Sequence, residues 1–161
     1  MCIRPANIDA DFQQIRECVI ELQDFERRID TRMPSGGAIA DDYIADMLRK
    51  CEEYRGKILV AEADNSIAGF VTILTSVSSG DLDDGDIEFS SIDDLIIRQQ
   101  YRGTGLGRKL IEAAESFARS KKARWLRLSV LAKNVSARQL YSQLGFSELY
   151  VDFEKDLSNS Q

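Results

Sequence analysis

Three alternate glycines are the residues whose spacing most clearly suggests chemistry. They lie in the stretch RQQYRGTGLGRKLIEAA (98–114) as Gly103, Gly105 and Gly107. Where a strand runs through such a loop into a helix, several backbone N–H groups converge on one point, at the positive end of the helix dipole. Arg102 and Arg108 flank the loop and could each form a charge-assisted hydrogen bond to a phosphate oxygen. The pattern predicts a phosphate or pyrophosphate site; a turn that only lets the helix pack closely is the alternative.

Two well-known phosphate loops do not fit this stretch. A Walker A loop needs Gly-Lys followed by Ser or Thr, whereas Gly107 is followed by Arg108, Lys109 and Leu110. The dinucleotide-binding fingerprint needs a third glycine or alanine where this chain has Arg108, and an acidic residue about 20 positions later. The segment RLSVL at that distance supplies no acid.

Acidic and phenolic side chains occur where a reaction could use them. Tyr141 shares the apolar face of a short predicted helix with Ala137 and Leu144, so either it acts in a site or its hydroxyl binds a carbonyl in the core. Asp93 and Asp94 precede the most apolar part of a predicted strand, where charges are costly without a partner or a task. A solvated edge position for one of them is equally consistent.

The composition excludes several kinds of catalysis. The chain has no histidine, which rules out Ser-His and Cys-His pairs and any metal site built on imidazole. Three cysteines, Cys2, Cys18 and Cys51, have neither ligand spacing nor a short pairing, which favours a reducing compartment. We therefore expect no metal and no thiol nucleophile.

The first half of the chain predicts a strand, two helices and a hairpin. CIRPA (2–6) is extended, and Asn7 or Asp9 can cap a helix that ends near Asp30. A loop with Pro34 precedes a second helix from about Ala38 to near Arg55. KILVAEADNSIAGFVTIL (57–74) reads as two strands around a turn at Asp64 and Asn65, and IEFSSIDDLII (87–97) as a third long strand.

The second half predicts two helices and two more strands. A helix with one apolar stripe follows the glycines, and RWLRLSVL (124–131) alternates as a strand. Asn134 can cap a shorter helix that stops at Gly145, and FSELYVDFEKDL (146–157) alternates again as a closing strand. The order predicts an α/β (α+β) fold with a mixed central sheet flanked by helices on both faces. We expect one domain over residues 1–157 and a disordered tail at 158–161.

Charge and hydropathy restrict the partners. The 161 residues carry a formal net charge of -6, and the isoelectric point is about 4.8. No basic face is available for nucleic acid, and no run of about 18 apolar residues could span a membrane. We expect a cytoplasmic protein without nucleic-acid or membrane partners, for which a cationic small molecule is the easier ligand.

Two longer stretches resemble the GNAT acyltransferases. Arg102 to Gly107 match the arginine-x-x-glycine-x-glycine signature of that superfamily. DDLIIRQQYRGTGLGRKLIEAA (93–114) is similar to its fourth strand, pyrophosphate loop and third helix, and LSVLAKNVSARQLYSQLGF (128–146) to its fifth strand, fourth helix and following Gly-Phe. Together they cover about half the chain at the separation that the family shows. The resemblance implies the GNAT fold and an N-acetyltransferase that uses acetyl-CoA or another acyl-CoA.

The resemblance also assigns roles to individual residues. It implies that backbone N–H groups hold the pyrophosphate, that the pantetheine arm runs along a strand, and that an N–H of Leu95 or Ile96 binds the oxyanion. Asn134, locally a helix cap, would touch the pantetheine or the acceptor, and Tyr141 would protonate the leaving sulfur. The implied cofactor-binding residues are Leu95, Ile96, Ile97, Arg102, Gly103, Thr104, Gly105, Leu106, Gly107, Arg108 and Asn134.

The general base is predicted to be Asp93. IDDLIIRQQYRGTGLG (92–107) is similar to the acidic strand of the spermidine/spermine acetyltransferases, in which the first acid is the base. This chain departs from that subgroup because Leu95 and Ile96 replace aromatic residues. An alkyl amine has a pKa near 10, so a carboxylate must help to remove its proton before attack.

An acidic segment suggests the kind of acceptor. Residues 81–88, DLDDGDIE, contain five acids and could attract a polyamine, an aminoglycoside or a lysine-like amine; a solvated hairpin loop is the plainer interpretation. The sequence thus predicts acetyl transfer to the primary amine of a small, cationic acceptor by direct attack, in a chain that could form a homodimer. A non-catalytic acyl-CoA-binding regulatory domain and a protein or peptide N-acetyltransferase are the alternatives.

Overall fold

The computed structural model describes residues 2–80 and 85–158. Its elements in chain order are β1 (Cys2–Pro5), α1 (Ile8–Ile29), α2 (Gly36–Glu53), β2 (Lys57–Ala63), β3 (Ser66–Ser78), β4 (Glu88–Ile97), α3 (Leu106–Ser120), β5 (Leu126–Leu128) and α4 (Val135–Gln143). A single 3-10 turn, Gln99–Tyr101, connects β4 to the glycine loop. Residues 159–161 of the predicted tail lie outside the described residues, and the single-domain prediction for 1–157 stays a prediction.

The five strands of the described chain form one mixed sheet in the order β1-β2-β3-β4-β5. The first four are antiparallel neighbours, and β5 runs parallel to β4. Asp64 and Asn65 both have positive φ, 51° and 58°, as the tight turn between β2 and β3 requires. The predicted hairpin and mixed sheet are confirmed.

Helices cover both faces of this sheet, as predicted. On one face, α1 and α2 bury Ile15, Val19, Ile44 and Met47 against Phe70 of β3. On the other face, α3 buries Leu106, Leu110, Ile111 and Ala114 against Val71 and Ile92. The central strand β3 therefore has no solvent-facing side over most of its length, which is why its apolar run is nearly continuous.

An ion-pair network joins the first strand to the first helix. Asp11, whose side chain is 6% exposed, accepts hydrogen bonds from both terminal nitrogens of Arg4, at 2.7 and 3.0 Å. It also accepts one from the Asn7 N–H at 2.8 Å, and Arg4 donates to Glu62 of β2. Asn7 is the N-cap of α1, one of the two residues predicted for that position.

The corner between α1 and α2 depends on Gly36. The second helix begins there, two residues earlier than predicted, and a side chain at Gly36 would lie 2.5 Å from the Ile20 carbonyl oxygen. The Gly36 N–H donates to Asp24 at 2.8 Å. This close approach lets α2 pack along α1 over the same face of the sheet.

Of the two strands predicted at the C-terminal side, one is shorter than expected and the other is wrong. RWLRLSVL forms only the three-residue β5, and residues 146–157 form no strand. A further strand needs a neighbouring strand edge to accept and donate its backbone hydrogen bonds. In β5 only three residues are paired before the chain turns away. The alternating side chains of 149–153 are therefore exposed: Leu149 is 60% and Phe153 94% accessible.

Candidate functional site

The glycine loop has the backbone conformation that the sequence predicts for an anion site. Gly103 and Gly105 have φ of 75° and 82°, and neither would contact another atom through an added side chain. Gly105 is the N-cap of α3, a helix of 15 residues. The left-handed conformation at these two positions turns the chain so that the helix N-terminus faces solvent beside the end of β4.

Six consecutive N–H groups in this loop have no protein acceptor among the described residues. The first helical bond of α3 is donated by Lys109 to Gly105 at 3.2 Å, and the Arg102 N–H is bound by Gln99. The open donors belong to Gly103, Thr104, Gly105, Leu106, Gly107 and Arg108. Donors of this kind at a helix N-terminus attract an anion with several oxygen acceptors.

Gly107 differs from the other two glycines, because it is needed for packing. It lies in the first turn of α3, and a side chain there would lie 3.1 Å from Leu140 of α4 and 3.8 Å from Ile97 of β4. The close packing that the sequence offered as the alternative is therefore present at Gly107, and the phosphate site stays a prediction. Two glycines set the turn, and the third lets α3 approach α4.

Arg102 and Arg108 occupy different environments. The Arg102 guanidinium donates to the Ile97 carbonyl at 3.0 Å, lies 3.5 Å from Glu21 and stacks on Phe25 at 4.9 Å. It braces the loop against β4 and α1. Arg108 is exposed and pairs with no acid in the part of the chain that the structure describes, so its charge is available at the loop.

An opening between β4 and β5 lies next to the loop. Within the described residues, β5 pairs with Ser90–Ile92 alone, so residues 93–97 of β4 have no described strand on that side. The Arg98 N–H donates to the Ala68 carbonyl of β3 at 2.9 Å. Along an antiparallel pair, successive residues point their N–H and C=O groups alternately toward and away from the partner strand. The N–H and C=O of Leu95 and Ile97 therefore point into the opening, whereas those of Ile96 pair with β3.

Tyr141 lies on α4 with its ring partly buried. The ring packs edge-on against Phe146, with centroids 6.0 Å apart, on the α3 face of the sheet. Its hydroxyl makes no hydrogen bond within residues 2–80 and 85–158, so it does not use the carbonyl partner of an ordinary core tyrosine. Burial, and then the charge of Glu26, raises the pKa of Tyr141, which keeps the phenol protonated at neutral pH.

Asn134 caps α4. Its side-chain oxygen accepts hydrogen bonds from the Ala137 N–H at 3.3 Å and from the Ser136 hydroxyl at 3.2 Å. The local role predicted from the sequence is therefore present. The family role at the pantetheine or acceptor stays a prediction.

Asp93 and Asp94 lie on the same side of the sheet because β4 contains a bulge. The register jumps from Thr72–Asp94 to Ile73–Ile92, which leaves Asp93 as the extra residue. Asp93 is exposed and forms an ion pair with Lys50 of α2 at 3.0 Å. Its assignment as the base stays a prediction.

Asp94 is buried and has one close partner. It is 4% exposed, and it accepts a hydrogen bond from the Tyr43 hydroxyl. Its Oδ2 has no hydrogen-bond partner within the described residues. Burial raises the pKa of Asp94, and the Tyr43 hydrogen bond opposes that shift.

Sequence reasoning missed two residues of this region, Glu26 and Tyr43. Burial, and then the charge of Asp94, raises the pKa of Glu26, and burial raises the pKa of Tyr43. A signal for Glu26 was present, because it continues the buried line of α1 through positions 15, 18 and 22. An acid at the end of an apolar face indicates a partly buried charge.

The acidic segment is only partly described. Asp86 and Glu88 are exposed, whereas Asp81, Asp83 and Asp84 lie outside the described residues. Its role toward an acceptor stays a prediction.

Two of the three cysteines, Cys18 and Cys51, are poor nucleophiles. Burial raises the pKa of Cys18 to about 12 and that of Cys51 to about 11, while Cys2 is exposed. In the ranges 2–80 and 85–158, no group of three or more Cys, Asp and Glu side chains is arranged to hold a metal ion. No helix in those ranges is long and apolar enough to cross a bilayer.

Comparison with protein families identifies the chain. Residues 21–146 match the acetyltransferase (GNAT) family model, which is most of the sequence. The chain belongs to the GNAT acetyltransferase family. The match includes α2, the glycine loop, α3 and α4, so the resemblance inferred from the sequence motifs is confirmed.

Curated relatives of this GNAT chain are acetyltransferases by name. It is 41% identical over 64 residues to the uncharacterized N-acetyltransferase YycN and 29% identical over 99 residues to YhfO, both from Bacillus subtilis. It is 38% identical over 58 residues to bovine (Bos taurus) thialysine N-epsilon-acetyltransferase. These segments are 40%, 62% and 36% of this chain, and they span 41%, 64% and 34% of the relatives, less than two thirds of each.

Solved structures share the whole GNAT fold. The BH1408 protein of Bacillus halodurans superposes with a TM-score of 0.77 at 22% identity, over 98% of this chain and 100% of that one. An aminoglycoside N-acetyltransferase in complex with CoA gives 0.66 at 16% identity, over 96% and 98%. The mixed sheet with helices on both faces is therefore the GNAT architecture.

Proposed function

We propose that this protein transfers the acetyl group of acetyl-CoA to a primary amine by direct attack. One observation carries the proposal: six open N–H groups at the start of α3 lie beside a strand edge that is open at Leu95 and at the Ile97 N–H, while the Ile97 carbonyl accepts from Arg102. This combination of clustered N–H donors and an open strand edge suits a ligand with a diphosphate at one end and an amide-bearing arm at the other. The GNAT membership of the chain supports the same reading.

The donor set fits the pyrophosphate of a coenzyme A. The open amides from Gly103 to Arg108 and the exposed guanidinium of Arg108 would hold its oxygens, and Arg102 would fix the loop from behind. The N–H and C=O of Leu95 and the N–H of Ile97 would pair with the pantetheine amides, and Asn134 lies at the start of α4. That an aminoglycoside N-acetyltransferase of this fold binds CoA supports the assignment.

Two groups of this chain would serve the transfer. The Leu95 N–H, which points into the opening, would stabilise negative charge on the acyl oxygen; Ile96 is less suited because its backbone pairs with β3. The Tyr141 hydroxyl, protonated and without a protein partner among the described residues, would donate a proton to the leaving sulfur. Raised thiol pKa values at Cys18 and Cys51 argue against an acetyl-cysteine intermediate.

The acceptor would be a small amine of positive charge. The net charge of -6 and the acidic segment 81–88 favour a cation, and the thialysine and aminoglycoside acetyltransferases are similar proteins with amine substrates in their names. Asp93 stays the proton acceptor predicted from the sequence. A homodimer stays a prediction as well.

The experiment has a binding arm and a turnover arm. Calorimetric titration with coenzyme A tests the loop, and release of free thiol from acetyl-CoA with a panel of alkyl amines, polyamines, aminoglycosides and lysine peptides tests transfer. Tyr141→Phe should lower kcat about 100-fold or more and change coenzyme affinity less than about twofold. Coenzyme binding without thiol release from any amine would identify a regulatory acyl-CoA-binding domain instead, and a response to peptides alone would identify a protein acetyltransferase.

A further inference from the structure

One stripe of α1 contacts the short connection between β4 and the glycine loop, residues 98–102. The stripe consists of three residues spaced about one helical turn apart, Glu17, Glu21 and Phe25. Glu17 pairs with Arg98, the first residue of the connection, at 2.5 Å. The Phe25 ring centroid lies 4.9 Å from the guanidinium carbon of Arg102, the last residue. The connection is therefore fixed to α1 at both ends.

Glu21 holds the middle of this connection by its backbone. Its Oε1 accepts a hydrogen bond from the Gln99 N–H at 2.5 Å and lies 3.5 Å from a terminal nitrogen of Arg102. Gln99 is the first residue of the 3-10 turn, where a backbone N–H has no acceptor within the turn itself. Glu21 supplies that acceptor from another element.

The turn relates Gln99 to the first open amide of the loop. The Gln99 carbonyl accepts from the Arg102 N–H at 3.2 Å, and the Arg102 guanidinium donates to the Ile97 carbonyl at 3.0 Å. Gly103 comes next, and it is the first of the six residues whose N–H has no acceptor among the described residues. A displacement of Gln99 would thus move the donors that face the proposed coenzyme site.

The charge of Glu21 does not explain its place beside an anion site. A carboxylate near a diphosphate raises the electrostatic cost of binding. Glu21 also offsets the charge of Arg102, which leaves the exposed Arg108 as the loop cation that no described acid engages. What Glu21 contributes to the loop is the hydrogen bond to the Gln99 N–H.

We propose that Glu21 is a positioning residue for the coenzyme: by binding the Gln99 N–H, it holds the six open amides of the glycine loop in the orientation that a diphosphate requires. The inference rests on the proposed function, and Glu21 itself contacts no substrate. Donors that are already aimed at the ligand need no ordering when it binds, which increases affinity. The reach of the Glu21 side chain should therefore matter more than its charge.

Variants that separate reach from charge test the proposal. Glu21→Gln keeps an oxygen acceptor at the same reach without the charge, so calorimetry should find its affinity for coenzyme A within about threefold of the wild type. Glu21→Asp keeps the charge on a side chain one methylene shorter and should bind at least about tenfold more weakly, as should Glu21→Ala. The opposite order, with Glu21→Asp close to the wild type and Glu21→Gln weak, would show that charge matters and that the inference is wrong.

Glu17→Ala is the matched control. Glu17 lies one turn earlier on the same face and binds the Arg98 side chain at 2.5 Å, but it makes no hydrogen bond to the backbone of the connection. Urea unfolding should show similar losses of stability for Glu17→Ala and Glu21→Ala. Coenzyme affinity should change less than about twofold in Glu17→Ala, because its effect stays at one side chain. An equal loss of affinity in both would assign the effect to a loosened α1.

Steady-state kinetics separates positioning from loss of fold. In Glu21→Asp, the KM of acetyl-CoA should rise about tenfold, while kcat and the KM of the amine change less than about twofold. A residue that only stabilised the fold would lower the fraction of active enzyme, and hence kcat, without changing the KM of acetyl-CoA.

The wild type distinguishes failure of this inference from failure of the proposed function. If the wild type binds coenzyme A, and Glu21→Asp and Glu21→Ala bind it equally well, the inference is wrong and the proposed function is unaffected. If the wild type binds no coenzyme A, the proposed function and this inference both fall.

Discussion

At the scale of the residue, glycines of the same loop do different work. Gly103 and Gly105 supply positive φ in open space, and Gly107 supplies room for Leu140. The open amides depend on the first kind, because an L-residue with a side chain resists the left-handed conformation that turns the chain into α3. Substitution of Gly103 or Gly105 should therefore weaken coenzyme binding before it disturbs the packing of the core.

Gly105→Ala should destabilise the protein by about 1 kcal/mol and weaken coenzyme A binding at least about tenfold. Gly80→Ala is the matched control, because Gly80 also has a positive φ, 74°, and open space around it but lies far along the chain from the loop. Urea unfolding should show similar losses for both, and calorimetry should show weaker binding only for Gly105→Ala. Equal coenzyme affinities would remove the loop conformation from the site.

At the scale of the element, β4 combines the parts of the site. Its bulge brings Asp93 and Asp94 onto the α2 side, and its last five residues lose their neighbour because β5 ends at Leu128. The helix α1 holds this arrangement in place through acids that bind Arg4, Arg98 and the Gln99 N–H. Secondary structure here positions charges as much as it buries apolar surface.

The Arg4–Asp11 pair gives α1 a pH-dependent contribution to stability. Arg4 hydrogen bonds hold the pKa of Asp11 below its ordinary 3.8, so the contribution is complete above about pH 4 and disappears as the pH falls through the folded value. Asp11→Asn should lower the free energy of unfolding by about 2 kcal/mol at pH 7. Denaturant curves from pH 7 down to pH 3 should show that difference shrinking.

Asp41→Asn is the control for that measurement. Asp41 pairs with Arg16 at 2.6 Å but is 69% exposed, so its loss should cost clearly less. A difference for Asp11→Asn that stays constant to pH 3 would show that the ion pair is not its source.

At the scale of the whole molecule, charge distinguishes the two substrates. The chain carries an excess of acids, yet coenzyme A is an anion, so the proposed coenzyme site would rely on local N–H groups and Arg108. A cationic acceptor, as proposed, would be attracted by the field of the entire protein, including the segment 81–88. Salt should therefore affect the two substrates differently.

Raising ionic strength from about 0.02 to 0.2 M should increase the KM of a polyamine several-fold and that of a monoamine less than about twofold. Steady-state thiol release measures both. Neutralising Asp83, Asp84 and Asp86 together should reduce the salt effect on the polyamine. An unchanged KM at low and high salt in that triple variant would exclude the segment from acceptor attraction.

The sequence by itself determined the features that depend on local chemistry. The glycine loop, the Asn134 cap, the hairpin at Asp64 and Asn65 and the apolar stripe of α3 follow from backbone preference and periodicity, which act over a few residues. The GNAT resemblance followed from the same short stretches.

Only the tertiary structure decided what depends on distant contacts. The alternation of 146–157 predicted a strand, but a strand needs an edge, and β5 stops after three residues. The bulge that brings Asp93 beside Lys50 depends on pairing with β3, and the burial that raises the pKa of Glu26 depends on elements separated along the chain. The sequence pattern indicates which residues can be buried or charged, whereas the packing of distant elements decides which charged groups gain a partner.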